Sequence, residues 1–211
     1  MRTAGLSLLL AGLGALAGCS ARSDVEKSAA RPAVPDWRRI VTPDDRRRLS
    51  EWRTAFVAAL AEARAGGHGA AIDREGVLLM PDAALDDPLL SPGEYRCRVI
   101  KLGAQARAQP AYVSYPTFNC RVTSAARGVR LEKITGSQRP VGTAYPEDAR
   151  RMIFLGSLEL GDETVAMAYG HDPDRDMAGA VERIGSARWR LVLPYPKFES
   201  ILDIVELVPA A

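Results

Sequence analysis

The sequence predicts a mainly β domain with one N-terminal α-helix, its strands running as an antiparallel meander of about eight that forms a small barrel, closed or partly open. Three observations predict it. From about residue 95 the apolar residues recur at every second position. Short turn sequences, above all Gly161-Asp162 and Gly185-Ser186, separate these runs. Ahead of them lies one segment with the helical period.

The helix comes first. Thr42 caps it, Pro43 suits its first position, and Asp44 and Asp45 sit in its first turn. Leu49, Trp52, Phe56, Leu60 and Ala63 follow at three- and four-residue steps, a stripe that packs on a sheet. Gly66-Gly67 ends it. The run Arg46-Arg47-Arg48 reads as a solvated face balanced by nearby acids rather than as a lipid-headgroup patch.

Strands are expected near 95–101, 111–122, 128–134, 152–160, 163–169, 179–184, 187–193 and 202–208. Gly161-Asp162 closes a hairpin over 152–169, in which Leu158 faces Val165 and Phe154 faces Tyr169. Gly185-Ser186 closes another, whose simplest register sets Arg183 opposite Arg188. Pro116 marks an edge or a bulge. The remaining connection, 135–151, is long, and its Ser137, Gln138 and Arg139 form the candidate functional surface loop. Trp189, Tyr195 and Phe198 near the last turn read as core aromatics rather than as an exposed recognition strip.

Cysteine usage bears on the compartment. Cys97 alternates in phase with Tyr95 and Val99, and Cys120 with Phe118 and Val122. Both thiols therefore lie on the apolar faces of neighbouring strands, where a disulfide forms readily in an oxidising compartment. Closing that loop stabilises the fold by about 3 kcal/mol in the chain-entropy account. The third cysteine, Cys19, belongs to the N-terminus. Met1-Arg2 and the apolar run from Leu6 to Leu16 have the layout of a secretory signal, and the run is shorter than the ~20 residues of a spanning helix. Leu16-Ala17-Gly18-Cys19 resembles the bacterial lipobox, which implies cleavage before Cys19 and lipid on its sulfur. Ser20, rather than Asp, then points to the outer membrane facing the periplasm. The expected organisation is a signal peptide over 1–18, the lipidated cysteine and a flexible tether over 19–36, and one domain over 37–211. The tether reaches about 20–25 Å as a coil, so the membrane contact belongs to the lipid alone.

Composition and motifs narrow the chemistry. A net charge of +2 on 211 residues gives no case for nucleic acid. No cofactor is expected, since no Gly-rich phosphate loop follows a strand and opens a helix. Ser137 lies outside a nucleophile elbow, and only His68 and His171 could serve as an imidazole base. Asp172, Asp174 and Asp176 alternate as in hard-cation loops, but the EF-hand glycine and glutamate positions hold Met177 and Arg183, so they are weak metal candidates in an acidic turn.

The segments Tyr95-Arg-Cys-Arg-Val-Ile-Lys-Leu-Gly103, Thr135-Gly-Ser-Gln-Arg-Pro140, Val181-Glu-Arg-Ile-Gly185 and Arg188-Trp-Arg-Leu-Val192 resemble a family of bacterial envelope proteins known as domain of unknown function 4893. The resemblance runs from about Trp37 to the C-terminus and implies an envelope location, with no activity or catalytic residue to carry over. The expected role is a non-enzymatic domain that binds a small ligand or an envelope protein; the alternative is an enzyme acting on envelope polymers through an acidic cleft. The lipobox reading is directly testable: the full chain expressed in a bacterial host incorporates labelled palmitate, and Cys19→Ala abolishes the label. A parent chain that takes up no palmitate overturns it.

Overall fold

The computed structural model describes Met1 and residues 37–210, so Cys19, the signal segment and the tether lie outside the described residues. Four helices come first: α1 (Trp37–Ile40), α2 (Pro43–Ser50), α3 (Trp52–Ala63) and α4 (Gly69–Glu75). Eight strands follow: β1 (Gly93–Ala104), β2 (Tyr112–Ala125), β3 (Gly128–Lys133), β4 (Gln138–Pro146), β5 (Arg151–Leu160), β6 (Asp176–Gly185), β7 (Arg188–Pro194) and β8 (Ser200–Pro209). Each pairs antiparallel with the next, and β8 returns to β1, with Cys97 opposite Leu207 and Ile100 opposite Ile204, so the barrel is closed.

Alternation along the strands sorts side chains into two cores. Inside the barrel, Tyr95, Cys97, Val122, Leu131, Phe154, Val181 and Leu207 belong to one buried cluster. An eight-stranded barrel is just wide enough for side chains to fill or for one small ligand to enter. Outside it, Ile100, Leu102, Val192 and Ile204 meet Ala55, Phe56, Ala59 and Ala63 of α3. Small alanines at four-residue steps let the helix approach the strands closely. Trp37 and Val41 cover Ile153, Leu155 and Ala178 on the outer face of β5 and β6. The outer face of β2 and β3 instead presents Asn119, Arg121 and Arg130 to solvent. An apolar interior behind a polar wall is the reverse of the arrangement in barrels that span bilayers.

The expected single helix is two. Thr42 Oγ1 accepts from the Asp45 N–H at 3.2 Å as the predicted cap, but the helical path breaks at Glu51 (φ −98°, ψ 7°) and restarts at Trp52. Arg48 pairs with Asp45 and donates to the Asp176 carbonyl, so this arginine seats α2 on β6 rather than facing solvent. The glycine stop holds: Gly67 sits at φ 86°, and the chain turns there into α4.

The strand list needs two corrections. Residues 163–169 are not a strand, and residues 138–146, expected to be loop, are β4. Both edges of β5 are occupied, by β4 on one side and β6 on the other, which leaves no edge for 163–169. Leu158 therefore faces Pro140, and Phe154 lies between Ala144 and Gly179. Val165 is 79% exposed despite its place in an apolar alternation. Tyr169, the end of that segment, instead donates its hydroxyl to Asp45 at 2.6 Å. The second hairpin contains a bulge: Arg183 pairs with Trp189 and Gly185 with Arg188, so the two arginines are not opposed. Pro116 does mark a bulge, since Arg98 faces Thr117 while Ile100 faces Ser114.

One buried arginine ties the helical layer to the barrel. Arg190, on the outer face of β7, is fully buried. Its Nε and Nη2 donate to Glu182 Oε2 at 2.8 and 2.6 Å. Nη1 donates to the carbonyls of Leu78 and Met80, and Nη2 to that of Pro81. Its guanidinium also stands 5.1 Å from the Phe56 ring centroid. Removing the cation leaves Glu182 and these carbonyls in a dry space. Arg190→Met is expected to destabilise the domain by about 3–5 kcal/mol in a urea titration.

Candidate functional site at the barrel mouth

The two ends of the barrel differ. At the end where β1 begins, Leu90 joins the interior cluster, the Tyr95 and Trp189 rings meet edge to face, and the Tyr95 hydroxyl donates to the Ser91 carbonyl. That end is closed by side chains. At the other end a cavity of about 280 Å³ opens between the β3–β4, β5–β6 and β7–β8 connections. Its walls are apolar, formed by Val99, Phe118, Leu158, Met177, Leu193 and Val205.

Among the charged residues that line this cavity, three project inward from the strands. Lys101, Lys133 and Asp203 each occupy the inward phase of their strand, and each is at least nine-tenths buried. Lys101 and Asp203 face each other across β1 and β8, 3.1 Å apart, and Glu199 lies 3.1 Å from the same ammonium. Burial pulls the Lys101 pKa down, but the Asp203 and Glu199 carboxylates more than offset it and hold it above the ordinary value. Lys133 has the opposite balance. Its Nζ donates to the carbonyls of Thr135 and Gln138 at 2.7 and 2.9 Å and stands 3.6 Å from the Phe118 centroid. Among the described residues no carboxylate pairs with it. Burial, with repulsion from Arg139 and Lys101, pulls its pKa down to about 8.

The residues singled out from the sequence are dispersed around this mouth. The loop between β3 and β4 is short, because β4 begins at Gln138. Ser137 and Gln138 line the cavity, but Arg139 is not a surface-loop residue. It is buried, donates to Glu159 at 2.6 Å and binds the carbonyls of Gly136, Gly161 and Glu163, so it ties the rim together. Asp172, Asp174 and Asp176 do not form one group. Asp172 accepts from the Asp174 N–H, Asp174 pairs with Lys197 at 2.6 Å, and Asp176 accepts from the Gly170 N–H. Among the described residues no set of three or more His, Cys, Asp or Glu gathers as metal ligands. Trp189 is core, whereas Phe198 is 37% exposed on the rim.

Cys97 and Cys120 are disulfide-bonded inside the barrel, with Cα atoms 5.8 Å apart, joining β1 to β2 as their alternation predicts. Sequence reasoning missed Lys101, Lys133 and Asp203. The signal was present: each is a charge in phase with apolar neighbours, Lys133 after Val129 and Leu131, and Asp203 before Val205 and Leu207.

The profile of a family described as Domain of unknown function (DUF4893) matches residues 37–207. No curated protein and no solved structure matches the chain.

The Lys133 environment predicts a pH dependence. Its folded pKa of about 8 lies below the ordinary 10.5, so between these values the unfolded chain holds a proton that the folded chain has lost. Stability therefore rises with pH across that window. Relative to Lys133→Met, the parent chain should gain roughly 1–2 kcal/mol between pH 7 and pH 10 in urea titrations. A constant difference contradicts this environment.

Proposed function

We propose that this chain, which belongs to the family described as domain of unknown function 4893, is a lipid-anchored envelope protein whose barrel binds a small ligand at its open end. The anchoring rests on the lipobox-like Leu16–Cys19 and the polar stretch after it. The binding reading rests on one observation, the cavity of about 280 Å³ that enters an otherwise packed barrel from one side. Ligand sites are concave, mostly apolar and supplied with a few placed polar groups, and this mouth has that composition. Its volume equals the share of on the order of ten waters in the liquid, enough for a small organic molecule.

The acidic-cleft alternative lacks the arrangement it needs. A general acid or base must point its free carboxyl at the substrate. Asp172 and Asp174 are engaged in a turn and a surface ion pair, and Asp176 holds the backbone of Gly170.

The test is occupancy of the cavity. The neutral fluorophore N-phenylnaphthylamine should bind the purified full chain at about one equivalent with enhanced emission. Met177→Trp, which fills the cavity from its wall, should weaken binding at least tenfold while the melting transition remains cooperative. Emission unchanged by Met177→Trp, or no probe binding, overturns the proposal.

A further inference from the structure

Resting on the barrel-mouth site, one feature of its chemistry narrows the ligand. The cations that line the mouth fall into two classes. Lys101 has Asp203 and Glu199, Arg175 has Glu163, and Lys197 has Asp174. Lys133 has two carbonyl dipoles and an aromatic face instead. Carbonyls and a ring stabilise an ammonium but leave its full charge uncompensated in a partly dry space. A ligand that brings one negative charge completes this set. A neutral ligand leaves it as it is, and a dianion exceeds it.

We infer that the cavity takes an apolar monoanion, its carboxylate on Lys133 at the rim and its hydrocarbon body against Leu158, Met177, Leu193 and Val205.

The direction of the ligand follows from where these groups lie. Lys133 ends β3, and its Nζ reaches toward the β3–β4 connection, where Thr135 and Gln138 accept its protons. A Cβ added at Gly136 would stand 2.6 Å from that Nζ, so the ammonium lies directly against the loop at the opening. The aliphatic wall residues belong to the buried interior cluster. Head outward and body inward is the orientation that buries apolar surface and leaves the carboxylate's remaining lone pairs to water. Two of the three ammonium protons are directed to carbonyls, and among the described residues no carboxylate accepts the third.

Decanoate and decanol form the discriminating pair, having the same chain with and without the charge. Against the purified full chain at pH 7, decanoate should displace N-phenylnaphthylamine at least tenfold more effectively than decanol. In Lys133→Met the ratio should fall to about one. Decyl sulfate, a monoanion of different head geometry, reports whether charge alone suffices; affinity equal to that of decanoate places recognition in the charge, and weaker affinity adds the carboxylate shape. The unaltered protein supplies a check that needs no variant. The titratable and charged groups that share the mouth with Lys133 are Lys101 on β1, Tyr115 on β2, Asp174 and Arg175 before β6, Asp176 at its start, Lys197 and Glu199 between β7 and β8, and Asp203 on β8, and Arg139 on β4 adds its charge. Burial and like charges bring Lys133 down to about 8 while its carboxylate partners hold Lys101 above its ordinary value, so discharge of Lys133 should erode the decanoate preference above pH 8, by up to about tenfold per pH unit. Equal affinities at pH 7, or a preference that survives in Lys133→Met or persists to pH 10, overturn the inference. If both decyl compounds bind equally, the barrel-mouth site stands and only its anion preference falls. If neither binds and the fluorophore does not bind, the site itself falls.

Discussion

A guanidinium removed from water joins the two layers of this domain. Arg190 points away from the barrel interior, yet it is fully buried, because the chain after α4 folds over it and turns its carbonyls inward. Glu182, opposite it on β6, supplies the countercharge and is also held by Arg151 at 2.6 Å. Such a pair contributes little net stability compared with apolar residues of the same volume, but each half is costly to leave alone. Its effect is positional. It sets where the segment 77–81 lies on β6 and β7 and so where α3, which precedes that segment, meets β1 and β8. The outer apolar faces of those strands are covered as a result. The domain thus buries a second core outside the barrel, and its stability does not depend on filling the barrel to both ends.

That division of labour bears on the charges inside. Buried lysine and aspartate lower stability unless they are paired, and unpaired ones are found mainly where chemistry needs them. Lys101, Lys133 and Asp203 gather at one end of the barrel, while the other end is packed with Tyr95, Trp189, Leu207 and Leu90. The outer core and the Cys97–Cys120 bridge hold β1 against its neighbours while the mouth stays polar and incompletely filled.

The fold was legible wherever burial followed local pattern. Period-two alternation marked seven of the eight strands and placed both cysteines on inward faces, and Thr42-Pro43 marked the helix start. β4 was illegible because its sequence, Gln-Arg-Pro-Val-Gly-Thr-Ala-Tyr-Pro, reads as a loop. Pro140 is tolerated because β3 registers with β4 only from Val141 onward. Gly142 is required: it faces Gly156 across the ladder, and a Cβ there would stand 2.4 Å from the Leu155 carbonyl oxygen and 2.7 Å from the Phe154 ring. Conversely, 163–169 alternates convincingly but has no free edge to join, a fact of topology that no local window contains. The site was harder still. The acidic turn and the Ser137–Arg139 segment stood out by composition, whereas Lys133 looked like one more charge at the end of a strand. Its meaning depends on which way that strand faces and on what lies within a few ångströms of it.

The packed end near Leu90 gives the barrel a dead end. A molecule entering between the β3–β4 and β7–β8 connections would meet no second opening among the described residues and would leave by the way it came. Such a container would hold and release a molecule rather than conduct it, filling and emptying through encounters at one doorway. The residence time of a bound molecule would therefore be set by the few side chains around that doorway rather than by the depth of the barrel.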